Sequence, residues 1–538
     1  MKVAVQDKAS AKQQGNNLMK KGATVLAVGG IVAKLLGALY RVPLTNILGA
    51  EGMGLYQLIF PVYALFMMLS TVGIPTALSR IVAERRVKGE PAKKYLFACM
   101  LTLVTLSTVS AILVFSLAKY IAISQGNALA YKGFWIIAPS LVFVGAIAGF
   151  RGWFQGEMYM LPTAMSNIIE QVVKLAVGLT LSAVFAKRGV LYAVYGALLG
   201  VTASEFVTLV YMFVTYTLRM RRTERESLKF SKPEARDVFK TAFPIAIVSV
   251  LLPLSNFFDS IVVVNMLKLF GLSKDVATAE YGLLSGPVNS LVNMPVVVTL
   301  SLAIAVVPSV SASRIERNAD AIMLKSRLGV KTTYLVSIPF AIFFIVFGKD
   351  LIASIYPRLT LGQVETASKL LMISGASVVT LSVMQIYVSL LQAVDKTKMA
   401  VLSLVCAVIV KTVLQIVLTR YYGILGSAVA SVSFGVVALF ASIICYFKVC
   451  GLHLEKSVGI NLLVGVIMGL AGLVVKRFVT NSIASCAVGF LLSVAVYTFG
   501  VFAFGLIGKE EIAFLPASKI LARLHRVIRF WEYKDVKF

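Results

Sequence analysis

Two basic residues lie two helical turns apart in the first strongly apolar stretch of the chain. On a helix of 3.6 residues per turn, Lys34 and Arg41 therefore face the same side. No acidic residue within helical reach in that stretch neutralises them. Because a charge at the bilayer centre costs about 2.5 to 3.5 kcal/mol, the pair predicts a water-filled cavity that attracts an anion. A guanidinium in such a cavity can bind a phosphate or pyrophosphate through two parallel hydrogen bonds.

Other charged residues also fall inside or beside apolar stretches. Glu170 and Lys174 stand at i and i+4, where they either neutralise each other against a neighbouring helix or serve a cavity. Arg80 ends an apolar stretch, where it either lines the cavity or anchors at the membrane interface. Asp259 is a candidate for binding a coupling cation or for pairing with one of the bases. The predicted set of ion-coupling or cavity charges is Glu170, Lys174, Asp259 and Lys411.

The sequence predicts neither a metal site nor an enzyme active site. The 5 cysteines are scattered without C-x-x-C spacing, and only 2 histidines are present to join them as ligands. No G-x-x-x-x-G-K-[ST] motif provides a site for ATP, and no paired carboxylates or nucleophile and base stand out. We therefore predict a protein without catalytic residues or a bound cofactor. The membrane potential, Na⁺ and H⁺ are the candidates to which its activity would be coupled.

Apolar stretches of about 20 residues recur along the whole chain and must position these charges. A helix of that length crosses a bilayer. Hydrophobic residues make up 59% of the 538 positions and charged residues 14%, which excludes a mainly water-facing protein. The pattern predicts an all-α polytopic membrane protein of about 14 transmembrane helices. Lys and Arg concentrate in alternate loops, namely those on the same side of the membrane as the N-terminus. The positive-inside rule therefore predicts that both termini are cytoplasmic. The net charge of +28 then needs no nucleic-acid partner.

The strongest basic run of the sequence divides the chain into two halves. The predicted segments are an N-terminal lobe of six helices at 1–218, a basic cytoplasmic linker at 219–240, a second lobe of six helices at 241–448, two further helices at 449–507, and a basic amphipathic cytoplasmic tail at 508–538. Gln155 and Lys174 in the first half match Gln392 and Lys411 in the second at equal spacing. This internal repeat predicts two lobes of the same orientation that rock around a central cavity.

Several motifs together carry a resemblance to a known family that extends over nearly the whole chain. The chain resembles the multidrug/oligosaccharidyl-lipid/polysaccharide exporter superfamily, specifically its branch of stage V sporulation protein B and lipid II flippases. The motifs are LGALYR at 36–41, GAEGMGLY at 49–56, GIPTALSR at 73–80, RGWFQG at 151–156, and the residues Pro162 and Ser166 with EQVV at 170–173.

The resemblance implies two six-helix lobes that form a V-shaped central cavity, two additional helices and transport by alternating access. It implies export of undecaprenyl-pyrophosphate-linked sugars across a bacterial plasma membrane, with lipid II as the first candidate and a related polysaccharide precursor as the second. Membrane lipids and cell-wall synthesis proteins are the expected further partners. In such flippases basic residues of the first two helices line the cavity, and Lys34, Arg41 and Arg80 match those positions approximately.

The eighth helix departs from the family pattern and leaves the identity of the glycan open. Where Gram-negative lipid II flippases carry an Arg and a Glu ahead of a Pro, this chain has Ser290 and Asn293 ahead of Pro295. Two alternative functions also stay open. A drug/cation antiporter of the same superfamily predicts acids rather than bases in the N-terminal cavity, and a non-transporting scaffold for cell-wall synthesis predicts that cavity substitutions are silent.

Overall fold

The protein is all-α in the part of the chain that its structure describes. The computed structural model describes residues 2–71, 73–220, 232–451 and 457–506. The predicted tail and the middle of the predicted linker lie outside these ranges. The helices are α1 (Lys2–Thr71), α2 (Ile74–Lys88), α3 (Lys93–Ser124), α4 (Tyr131–Gly156), α5 (Leu161–Val173), α6 (Leu179–Ala186), α7 (Val190–Met220), α8 (Lys232–Leu269), α9 (Lys274–Leu283), α10 (Asn289–Ile315), α11 (Ala319–Ile355), α12 (Leu361–Ala393), α13 (Thr397–Cys450), α14 (Ser457–Phe478) and α15 (Ser482–Ala503).

Among the described residues, 12 helical segments are long and apolar enough to cross a membrane. Two of these segments contain a break, at Gly49 in α1 (φ 65°) and at Gly423 in α13 (φ 61°). Both glycines adopt the left-handed backbone that other residues rarely adopt, so the chain can turn there between two crossings. The predicted all-α multi-pass membrane fold is confirmed, whereas the count of about 14 crossings stays a prediction.

The chain divides into two compact units, Met1–Gly286 and Pro287–Phe538. The first unit contains α1 to α9, and the second contains α10 to α15. The predicted lobe boundaries at 218 and 241 stay a prediction.

Close packing of α4 on α2 explains the spacing of the RGWFQG motif in the first unit. A methyl group at Gly152 would lie 2.7 Å from the Pro75 carbonyl oxygen, and one at Gly156 would lie 2.5 Å from Cβ of Val82. Small residues four apart let two membrane helices approach backbone to backbone. Trp153, which is 3% exposed, fills the apolar core between these helices, α3 and α7.

The ends of α4 and α12 have the same turn, which supports the internal repeat at this junction. Met158 (φ 56°) and Asp395 (φ 62°) are both left-handed although neither is glycine. Their amides donate to the carbonyls of Gln155 (3.1 Å) and Gln392 (3.0 Å) respectively. The two turns lie at the same spacing along the chain as these two glutamines, as expected if one structural unit occurs twice.

The last two helices that the structure describes, α14 and α15, pack on α11 within the second unit. Val464 and Met468 of α14 form a small buried core with Phe502 of α15. The Tyr497 hydroxyl donates a 3.0 Å hydrogen bond to the Leu335 carbonyl of α11. This contact anchors α15 to the rest of the unit.

Candidate functional site

The helix that carries the two predicted anion-binding bases packs tightly against α5. A methyl group at Gly29 would lie 2.7 Å from Cβ of Ala164, and one at Gly37 would lie 3.1 Å from Oε1 of Gln171. Because these glycines lack side chains, α1 can approach α5 closely. The polar residues of α5 therefore lie beside the part of α1 that holds the bases.

Lys34 and Arg41 are not sealed in a dry contact between helices. The Lys34 side chain is exposed and that of Arg41 is partly exposed. Among the described residues, neither base forms an ion pair. Arg41 lies close enough to the hydroxyls of Tyr40 and Tyr56 for an electrostatic interaction. Both bases thus keep part of their surface accessible, and their predicted role in binding an anion stays a prediction.

A second set of charges joins α4 to α5, and these charges are paired. Arg151 donates to the Ser166 hydroxyl at 2.9 Å and to the Glu170 carboxylate at 3.2 Å. The Lys174 ammonium lies 3.9 Å from the same carboxylate, at the i,i+4 spacing seen in the sequence. Gln171 donates at 2.9 Å to Oε1 of Glu170, the oxygen that Lys174 approaches, whereas Arg151 binds Oε2. One acid thus compensates two bases that would otherwise be exposed to a low dielectric.

Glu205 of α7 is a candidate residue that sequence reasoning missed. It is 6% exposed, and Glu170, Arg151 and Lys174 are close enough to act on it electrostatically. The Tyr63 hydroxyl also lies beside this group of charges. Glu205 is the one charged residue between Val190 and Leu218, and this isolation in an apolar stretch was a signal that could have identified it.

The helix containing Lys174 is locally widened into a π-helical turn, Lys174–Gly178. At its end, a methyl group at Gly178 would lie 3.0 Å from the Tyr40 hydroxyl of α1. Such π-helical turns are frequent at functional sites because they redirect the side chains around them. No residue pattern indicated this turn in advance.

Two predicted site residues of the first unit lie in different surroundings. Arg80 pairs with Glu84 at 2.9 Å, and their side chains are 71% and 57% exposed. Asp259, on α8, is partly exposed and close enough to Tyr281 for an electrostatic interaction. Their predicted roles, in substrate binding and ion coupling, stay predictions.

The remaining predicted residues belong to the second unit. Lys411 of α13 is 6% exposed, with its ammonium 5.7 Å from the centre of the Phe434 ring. On α10, Ser290 is buried and Asn293 is exposed. The roles of all three stay predictions.

Related sequences extend over nearly all of the chain. The model of the family described as polysaccharide biosynthesis protein matches residues 19–314, which is more than half of the chain. Stage V sporulation protein B of Bacillus subtilis (strain 168) is 27% identical over 526 residues, covering 94% of this chain and 98% of that protein. Lipid II flippase MurJ of the same organism is 26% identical over 498 residues, covering 88% and 89% respectively.

Solved structures share the fold at low sequence identity. Lipid II flippase MurJ in an inward closed conformation has a TM-score of 0.71 and 16% identity, covering 89% of this chain and 98% of that chain. An inward-facing multidrug resistance MATE family transporter has a TM-score of 0.63 and 15% identity, covering 82% and 95%. The resemblance seen in the sequence motifs is therefore confirmed. The chain belongs to the polysaccharide biosynthesis protein family, in the branch of the exporter superfamily that includes stage V sporulation protein B and MurJ.

Proposed function

We propose that this chain is a flippase that moves an undecaprenyl-pyrophosphate-linked sugar from the inner to the outer leaflet of a bacterial plasma membrane by alternating access. Lipid II is the first candidate substrate, and a related polysaccharide precursor is the second. The names of two relatives, a lipid II flippase and a sporulation protein, support this class of substrate. The proposal includes cytoplasmic termini, which the charge distribution of the loops supports through the positive-inside rule.

The observation that carries the proposal is a contrast between paired and unpaired bases of the first unit. Arg151 and Lys174 share the carboxylate of Glu170. Lys34 and Arg41 have no acidic partner among the described residues and keep part of their surface accessible. Because an unpaired charge in a membrane helix is costly, a ligand of opposite charge is the simplest reason for keeping two of them on one face.

The two bases suit the chemistry of a pyrophosphate. Arg41 presents a planar guanidinium that can donate two parallel hydrogen bonds to phosphate oxygens, and Lys34 adds a compact positive charge. These contacts would replace the water that the pyrophosphate loses when it enters the bilayer. The polyprenyl tail would stay in lipid, because burying its hydrocarbon in a polar cavity gains nothing.

Outward movement of the headgroup is favoured by the membrane potential. Moving one negative charge out of an interior-negative cell releases about 2.3 kcal/mol per 100 mV, so two charges release roughly 5 kcal/mol. The same field favours the return of the empty carrier, because its fixed positive charges then move inward, and a bound cation or proton exchange at Asp259 or Glu170 is the proposed further source of coupling. ATP is not part of this proposal.

The arrangement of charge does not favour the two alternatives. A drug/cation antiporter predicts acids rather than bases in the N-terminal cavity, so Lys34 and Arg41 count against it, as does the pairing of Glu170 with two bases. A scaffold without transport gives no reason for unpaired bases on a membrane helix. We therefore retain the flippase as the single proposed function.

The test is the amount of precursor in the outer leaflet of a cell that depends on this protein. In a depletion strain, we expect outer-leaflet lipid II to fall and the precursor to accumulate inside. If lipid II is unaffected and another lipid-linked sugar accumulates, the class of function stands and the substrate is the second candidate. If no lipid-linked sugar accumulates, the proposal is wrong.

A substitution links this test to the bases. Arg41→Ala should abolish complementation while the protein still inserts in the membrane. Lys369→Ala is the matched control, because it also removes one positive charge from a helix but one that is 57% exposed and paired with Glu365 at 2.8 Å. Normal precursor exposure in the Arg41→Ala strain would refute the role of this residue.

A further inference from the structure

A glutamine of α5 reaches α1 between Lys34 and Arg41. Gly37 follows Lys34 by three residues and precedes Arg41 by four, so the three positions are neighbours on one side of the helix. Because Gly37 has no side chain, this place on α1 has room for a residue of another helix. The amide of Gln171 occupies it, since a methyl group at Gly37 would lie 3.1 Å from Oε1 of Gln171.

The direction of this amide is set by the charged residues of α4 and α5. Nε2 of Gln171 donates to Oε1 of Glu170 at 2.9 Å. An ionised carboxylate only accepts hydrogen bonds, so the amide nitrogen must face Glu170 and the amide oxygen must face α1. Arg151 at 3.2 Å and Lys174 at 3.9 Å hold the same carboxylate in place. The paired charges therefore fix which atom of Gln171 lies beside the two bases.

Oε1 of Gln171 is an acceptor that a ligand can use. The residue is partly exposed, and no donor among the described residues lies within hydrogen-bond distance of this oxygen. A carbonyl oxygen accepts from an O–H or N–H group, whereas an ionised phosphate has no proton to donate. The oxygen is therefore suited to an uncharged part of the ligand, next to the part that the bases attract.

Two donors and one acceptor side by side match a phosphate ester of a sugar. Lys34 and Arg41 can donate to phosphate oxygens, and Gln171 can accept from a hydroxyl or an acetamido N–H of the sugar joined to them. A prenyl pyrophosphate without a sugar also carries two phosphates, so the bases alone attract it at least as well. An acceptor improves the choice, because it is left without a partner when the ligand lacks the donor.

We propose that Gln171 is a specificity-determining residue, which accepts a hydrogen bond from the sugar next to the pyrophosphate, and that Glu170 is the residue that positions it. The inference rests on the proposed function and deepens it. It assigns the site to a pyrophosphate lipid that carries a sugar, in preference to the same lipid without one. It also gives the paired charges of α4 and α5 a role in recognition.

The test compares two probes that bind the purified full-length protein. One is a short-chain prenyl pyrophosphate that carries one N-acetylhexosamine, and the other is the same lipid without the sugar. Gln171→Met keeps an unbranched side chain of similar length but replaces the amide by a thioether, which is at most a weak acceptor. We expect it to weaken binding of the sugar-bearing lipid about three- to tenfold, the contribution of one neutral hydrogen bond. Binding of the bare lipid should be unchanged, which also shows that the variant is folded.

A second substitution separates reach from polarity. Gln171→Asn keeps the amide but shortens the side chain by one methylene, so the oxygen no longer reaches α1. It should show the same selective loss. Gln392→Met on α12 is the matched control, because it removes the amide of an exposed glutamine in the second unit. The control should bind both lipids like the wild type, whereas Arg41→Ala should weaken the binding of both.

Three results would overturn the inference. The first is an unchanged ratio of the two affinities in Gln171→Met. The second is an equal loss for both lipids in that variant, which would indicate that Gln171 only packs α5 against α1. The third is the same selective loss in Gln392→Met.

The two probes also separate the inference from the proposed function. If the wild type binds both lipids and flips the sugar-bearing one, while Gln171→Met keeps the ratio of the two affinities, the proposed function stands and the role of Gln171 is wrong. If the wild type binds neither lipid, the proposed function is wrong, and the inference that rests on it is wrong as well.

Discussion

The Arg151 guanidinium of α4 lies 3.2 Å from the Glu170 carboxylate of α5. The two side chains are 23% and 17% exposed, so the pair is largely removed from water. Lys174 reaches the same carboxylate at 3.9 Å. Arg151 and Lys174 thus share one acidic partner, which distinguishes them from Lys34 and Arg41. We propose that Lys34 and Arg41 bind the substrate.

Arg151→Ala should destabilise the protein. The substitution removes hydrogen bonds to Ser166 and Glu170 and leaves the carboxylate with only the more distant Lys174 as a basic partner. Because a hydrogen bond to a charged group contributes about 1.5 to 3 kcal/mol, we expect a loss of that size in the free energy of unfolding. Denaturation of the purified protein in detergent measures it.

Arg314→Ala is the control for this prediction. Arg314 also pairs with an acid at 3.2 Å, but its side chain is 46% exposed and that of Asp395 is 75% exposed. An exposed pair contributes about 0 to 1 kcal/mol, so the loss should be clearly smaller. Equal losses for the two variants would contradict the assigned difference between the pairs.

Gly152→Ala should weaken the packing of α4 on α2. Its methyl group would lie 2.7 Å from the Pro75 carbonyl oxygen, so one helix must shift. Overpacking of this kind costs about 1 to 3 kcal/mol in the free energy of unfolding. Gly459→Ala on α14 meets nothing within 4 Å and should instead be neutral or gain up to about 1 kcal/mol from helix propensity. The prediction fails if both variants unfold alike.

Met158→Gly should stabilise the turn after α4. Met158 has φ 56°, a conformation that costs a non-glycine residue about 1 to 2 kcal/mol. Glycine removes that strain but adds about 0.5 to 1 kcal/mol of unfolded-state entropy, so the net gain should be about 0.5 to 1 kcal/mol. The opposite sign is expected for Met372→Gly inside α12, which should cost about 1 kcal/mol. Thermal unfolding of both variants decides the matter.

Arg41→Lys should retain only part of the transport activity. Lysine keeps the positive charge but cannot donate the two parallel hydrogen bonds of a guanidinium. The loss of one charge-assisted hydrogen bond, about 1.5 to 3 kcal/mol, corresponds to a decrease of about tenfold or more in headgroup affinity. Binding of a short-chain pyrophosphate lipid to the purified protein measures this, and an affinity equal to the wild type would argue against a bidentate contact.

Local spacing predicted part of the charge arrangement. The approach of Lys174 to Glu170 follows from their i,i+4 positions, because residues four apart meet on one helix face. The contact of Arg151 with Glu170 depends on how α4 packs against α5, and no spacing in the sequence encodes it. The position of Glu205 beside these charges also depends on helix packing, because α7 brings it there from another part of the chain.

The fold class was predictable because the apolar stretches have the length of a bilayer crossing. The sequence also predicted the repeat through matching residues such as Gln155 and Gln392. It could not predict the left-handed turns at Met158 and Asp395, because neither residue is the glycine that normally indicates such a backbone. Likewise, a methyl group at Gly54 would lie 2.0 Å from the Thr278 carbonyl oxygen, a close approach of α1 and α9 that only the folded chain reveals.

The most direct test of the central claim is flipping of labelled lipid II by the purified protein in proteoliposomes, compared between the wild type, Lys34→Ala/Arg41→Ala and Arg314→Ala. We predict that the wild type and Arg314→Ala expose the labelled headgroup in the opposite leaflet, whereas the double variant does not, although it is reconstituted equally well. Flipping by the double variant at the wild-type rate would contradict the claim that the two unpaired bases of α1 bind the substrate.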